Sequence, residues 1–89
     1  MKIYEIKYTK EIELQTSFEE ILVSAKSIVD AVNKFIETMQ KELTEELEIV
    51  ANKKEYSFFK FSDSLVLKLE TKVITYEINS VNKIETRII

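Results

Sequence analysis

The chain contains no glycine and no proline in 89 residues. Every residue therefore carries a Cβ, and a left-handed backbone conformation, free for glycine, costs ~1 kcal/mol or more at any position. Turns fall to Asn, Asp and Ser, whose short polar side chains hydrogen-bond the local backbone. Asn52-Lys53-Lys54 and Ser62-Asp63-Ser64 read as turns of this kind, and Asn79 or Asn82 as a residue taking positive φ where glycine would usually stand. The same composition removes the glycine-rich loops that cradle phosphate groups, because those need close backbone approach.

Cysteine and histidine are absent as well. No disulfide framework or thiolate nucleophile exists, and histidine-based acid–base catalysis is excluded. Carboxylates are the only side chains left to hold a metal. Paired acids such as Glu19 with Glu20, or Glu45 with Glu46, are sequence neighbours that point apart on an exposed element and read as solvated. The expectation is a protein that is not an enzyme, with no cofactor and no metal. Twelve isoleucines and nine aromatic rings supply the apolar surface of a folded domain. The length gives one domain over residues 1–89, burying roughly 60% of its unfolded surface, too little for a deep cleft. No apolar run nears the ~18 residues of a membrane span, and Met1-Lys2-Ile3-Tyr4-Glu5 has no signal-peptide character. The expected location is cytoplasmic, with no membrane partner.

Tyr4, Ile6, Tyr8, Ile12 and Leu14 share one parity, and Glu5, Lys7, Thr9, Glu11 and Glu13 the other, the period-two pattern of a strand with one buried face. Two readings compete for the next segment. One starts a very long helix at a Ser17/Glu20 capping box. The other makes Ile21–Ala25 a buried strand and Ser27 the N-cap of a shorter helix with Asp30 at N3. The second fits the β-branched run better, and predicts a helix from Ser27 to about Gln40 that turns Ile28, Val32, Phe35, Ile36 and Met39 to the sheet. A continuation through Leu43 and Leu47 stays open, but Glu42 and Glu46 stand like-charged at i, i+4 and acids here oppose the helix dipole, so the helix is expected to fray or break near Gln40–Thr44. Strand patterns follow at 49–51, 56–61, 65–69, 73–78 and 81–88. The fold class is α+β: an antiparallel sheet of about five or six strands with one main helix on one face.

Residues 1–48 carry a net charge of −5 and residues 49–89 of +2. Glu37, Glu42, Glu45, Glu46 and Glu48 form a candidate acidic face for a basic partner. Ala25-x-Ser27-x-x-Asp30-Ala31, with Phe35 four positions on, resembles the strand-to-helix junction of many small uncharacterised phage and plasmid proteins. The resemblance covers about fifteen residues, implies a ββα unit, and points to a phage or mobile-element protein. The functional expectation is a viral inhibitor of anti-CRISPR or other anti-defence type, acting by protein binding on a host protein or complex.

Two alternatives accompany it. Lys54-Glu55-Tyr56-Ser57-Phe58-Phe59-Lys60-Phe61 resembles the RNP1 octamer of RNA-recognition motifs, which implies base stacking on Tyr56 and Phe58 with help from Lys60 and Tyr4. Glu55 stands where that motif has glycine, and a strand pattern replaces the helix that should follow. The same rings also read as core. The second alternative is a homodimer: the terminal Ile84, Ile88 and Ile89 read equally as an apolar sheet edge open to strand addition or, if the helix covers them, as core.

Overall fold

The computed structural model describes residues 1–46, 56–69 and 72–84. Alternation in the first segment produces β1 (Lys2–Ile12), which hairpins into β2 (Gln15–Ala25). Ser27 then caps α1 (Ile28–Glu46). β3 (Tyr56–Lys60), β4 (Ser64–Leu69) and β5 (Lys72–Ile84) complete one antiparallel sheet of five strands among the described residues, in the order β2-β1-β5-β4-β3. The architecture is α+β, with α1 packed on one face of the sheet.

The core lies between helix and sheet. Tyr4, Ile6 and Tyr8 of β1, Leu65 and Leu67 of β4, and Ile74 and Tyr76 of β5 meet Ala31, Phe35, Ile36, Met39 and Leu43 of α1. Phe35 and Ile6 are fully buried, each such side chain contributing about 2 kcal/mol through area removed from water. Ile21–Ala25 is strand, as its β-branched run predicts, but not a buried one: Ala25 alone is buried, Ile21 and Val23 are half-buried, and Leu22 and Ser24 are exposed because β2 is an edge strand with one face uncovered. The Ser27 hydroxyl accepts from the Asp30 amide at 3.2 Å, and the Asp30 carboxylate reaches back to the Lys26 amide at 2.9 Å.

Four expectations are corrected. The helix does not break near Gln40–Thr44 but runs to Glu46, because Met39 and Leu43 are buried and the Thr44 hydroxyl bonds the Gln40 carbonyl; tertiary burial outweighs a few tenths of a kcal/mol of like-charge repulsion. Ile28 does not face the sheet: it is exposed with Val29 beside Ser62, and Ala31 takes the inward position. The predicted strands at 73–78 and 81–88 are joined through Ile84 as β5, with a bulge where Tyr8 pairs Ile78 and Lys7 pairs Ser80. Asn79 is the extra residue. It leaves Ile78 and Val81 both packed against the core despite their opposite parity. Last, the one positive φ among the described residues is at Glu13 (57°), not Asn79 or Asn82. A two-residue connection, Glu13-Leu14, closes the hairpin because Ile12 pairs Gln15, and that tight reversal demands a left-handed residue. The strand expected at 49–51, the turn at 52–54, and Tyr56's side chain lie outside the described residues.

Candidate functional site

The site follows from what α1 leaves uncovered. One side of the sheet carries the core; the other carries Ile3, Glu5, Lys7 and Thr9 of β1 with Phe18, Glu20 and Leu22 of β2 in register beside them. Lys7, Phe18, Glu20, Asn79 and Ser80 line a shallow hollow of about 500 Å³ next to the bulge, where the Asn79 amide donates to the Thr9 hydroxyl at 2.7 Å. Phe18 and Leu22 are 80% and 62% exposed, and Leu14 at the hairpin tip is wholly exposed. β2 is an edge: its inner side pairs β1 without interruption for eleven residues, and no other described strand pairs its outer side.

On the helix side of the same edge sits a polar-aromatic cluster. The Tyr8 ring packs on Phe35, with centroids 4.8 Å apart, and on Tyr76 at 5.8 Å. Lys10 Nζ stands 5.5 Å from the centre of the Tyr76 ring. Burial pushes the Tyr8 hydroxyl up to about 12, helped by the neighbouring Glu19 carboxylate and by Glu42. Burial likewise raises Tyr76, against the opposing pull of Lys10. Desolvation works against the Lys10 ammonium, but its hydrogen bond to Tyr76 and the charges of Glu46 and Glu19 leave its pKa raised. Glu19 of β2 and Glu42 and Glu46 of α1 thus act on one pair of rings from two elements.

No protein-family model, curated protein or solved structure matches this chain.

The predicted acidic residues do not form one face. Glu37, Glu42, Glu45 and Glu46 are all exposed. Glu37 and Glu45 lie with Gln40, Lys41 and Thr44 around a hollow of about 340 Å³, where Lys41, four residues from each acid, offsets them. Glu42 and Glu46 do not line that hollow; their charges act on Tyr76, and that of Glu42 on Tyr8 as well. Glu48 lies outside the described residues. Glu19, which the sequence did not single out for binding, joins them only through the β1–β2 register, for which no local pattern is a guide.

The RNP1-like residues are distributed otherwise than base stacking needs. Tyr4 is 3% exposed beneath α1, and Phe58 packs against the same core, opposite Leu67. Both rings are on the covered face of the sheet. Lys60 is exposed, and the ring on the open face of β3 is Phe59, opposite Val66. The edge expected from Ile84 is corrected too: β5 sits between β1 and β4, and Ile84 pairs Ile3. Ile88 and Ile89 lie outside the described residues. Among the described residues no group of three or more acids is arranged to hold a metal, and no helix is long and apolar enough to cross a membrane.

Proposed function

We propose that the chain is a small non-enzymatic binding protein that occupies a basic surface of another protein, and that it serves as an inhibitor of the anti-defence type made by phages and other mobile elements. The observation that carries the reading is that exposed Glu19 stands opposite Tyr8 in the β1–β2 register, while exposed Glu42 and Glu46 lie on the helix that packs over Tyr8 and Tyr76 and act electrostatically on the same rings. Such a field speeds encounter with a basic partner and sets orientation more than it adds affinity. The assignment to mobile elements rests on the short Ala25–Phe35 resemblance alone.

The test is retention of partners on the tagged chain from lysate of its native host, with and without nuclease, followed by mass spectrometry. The expected result is a discrete protein that survives nuclease and is lost when Glu19, Glu42 and Glu46 are changed to Lys. Retention of nucleic acid instead, or of the same protein by the charge-reversed chain, overturns the proposal.

A further inference from the structure

Edge strands are hazards that proteins normally blunt with proline, bulges, lysines or short length. β2 has none of these. It runs eleven residues in unbroken register, and on its open side Phe18 and Leu22 flank Glu20 at intervals of two. Alternate residues of an edge strand direct N–H and C=O groups outward, a ladder ready for one more strand.

A second copy is the first occupant to consider. Full antiparallel overlap of Gln15–Ala25 with itself puts Glu20 opposite Glu20 at the two-fold axis, with Glu19 of each copy nearby and Glu42 and Glu46 of both helices on the same side. Acids meet acids wherever overlap is greatest. An extended segment with basic residues at those places removes the conflict and keeps the apolar contacts.

We propose that β2 docks an extended, antiparallel segment of a partner protein by strand addition, and that the register of the edge dictates the segment's pattern. Leu22, Glu20 and Phe18 require apolar, basic and apolar residues at intervals of two. Ile21 and Glu19, on the helix side, require an apolar or small residue and a second basic one. The segment therefore reads apolar, small, basic, basic, apolar. Glu42 and Glu46 lie behind the second basic position, beside Glu19. This rests on the binding-protein reading above and specifies its partner.

The probe is the capped peptide Thr-Ile-Thr-Lys-Arg-Val-Thr, titrated into isotopically labelled protein and followed by amide shifts and hydrogen exchange. The expected result is half-saturation below about 1 mM, with shifts and new protection concentrated in 15–25, and about fivefold weaker binding to Glu20→Lys. The peptide with Glu-Glu in place of Lys-Arg is expected to show the opposite preference between the two proteins. Glu20 is exposed but stands opposite Lys7, so Glu20→Lys should melt a few degrees lower through like-charge repulsion and remain folded; Glu20→Gln, an uncharged near-isostere, is expected to give an intermediate affinity. No shifts at about 5 mM peptide, shifts on α1 instead of β2, indifference to the charge swap, or a dimer of the unliganded chain at about 50 μM in sedimentation each overturns strand docking. Loss of peptide binding with retention of a nuclease-resistant partner sensitive to the Glu42 and Glu46 changes rejects the docking edge and leaves the broader function standing.

Discussion

Placing the first glycine in this chain should stabilise it, provided it goes to residue 13. Glu13 holds φ 57° in a two-residue hairpin, a conformation that costs an L-residue with a Cβ about 1–2 kcal/mol. Glycine removes that cost but gives the unfolded chain more freedom, a loss of about 0.5–1 kcal/mol. The difference spans about 0–1.5 kcal/mol, and its middle leaves Glu13→Gly more stable by about 0.75 kcal/mol. For a domain near this size that is a rise in Tm of roughly 2–8 °C. Ser17→Gly, four residues on in β2, is the control: its backbone is extended strand paired with Lys10, so glycine there gains nothing and should cost about 0.5–1 kcal/mol. Thermal melts by circular dichroism, repeated at two scan rates to confirm reversibility, measure both. If Glu13→Gly lowers Tm as Ser17→Gly does, the left-handed turn is not what the chain adopts, and the argument from its geometry fails.

Further outcomes follow from the core, the cap and the tyrosines. Phe35→Ala removes a fully buried ring packed at a tilt against Tyr8 and should cost about 3–5 kcal/mol in urea unfolding; a loss under ~1 kcal/mol would mean the helix is not seated as described. Phe58→Ala should lower stability by about 1–3 kcal/mol through lost core packing, whereas unchanged stability would return that ring to the surface. Ser27→Ala, which deletes the hydroxyl that accepts from the Asp30 amide, should cost about 1 kcal/mol, and a neutral result would remove its capping role. Tyr8 is neutral in the fold up to about 12 against an ordinary value of 10, so the folded state holds its proton longer than the unfolded chain does. Its contribution is complete below 10 and declines as pH rises from 10 towards 12. Tyr8→Phe should flatten stability over that window, and tyrosinate absorbance should reveal one less late-titrating ring; an unchanged pH profile contradicts the assignment.

Much of the architecture was legible from local signals. Tyr4, Ile6 and Tyr8 alternate because one face is buried, and the same three residues line the core. Ser27 and Asp30 marked the helix start, since a cap is chemistry within four residues. What escaped local reading depends on distant partners. The helix end at Glu46 is set by what Leu43 is buried against, and the bulge at Asn79 by its register with β1. Aromatic residues at 56–61 fitted a core pattern better than a nucleic-acid pattern, which Glu55 and Ser57 break, but only pairing with β4 places Phe58 inward and Phe59 outward. The candidate site was half visible. The acids of α1 were read from spacing, but their division by Lys41 and the contribution of Glu19 emerge only when β2 is laid beside the helix.

The strand order has a consequence in time. β1 pairs its neighbour in sequence on one side and the last described strand on the other, so that Thr9 and Asn79 are hydrogen-bonded across seventy residues. During synthesis the first hairpin and α1 leave the ribosome while Ile6 and Tyr8 still lack β5. The middle of the sheet closes only once β5 has followed, and closing so long a loop makes the search slow. Until then the nascent hairpin presents two open edges, and afterwards no described strand pairs the outer side of its acidic strand.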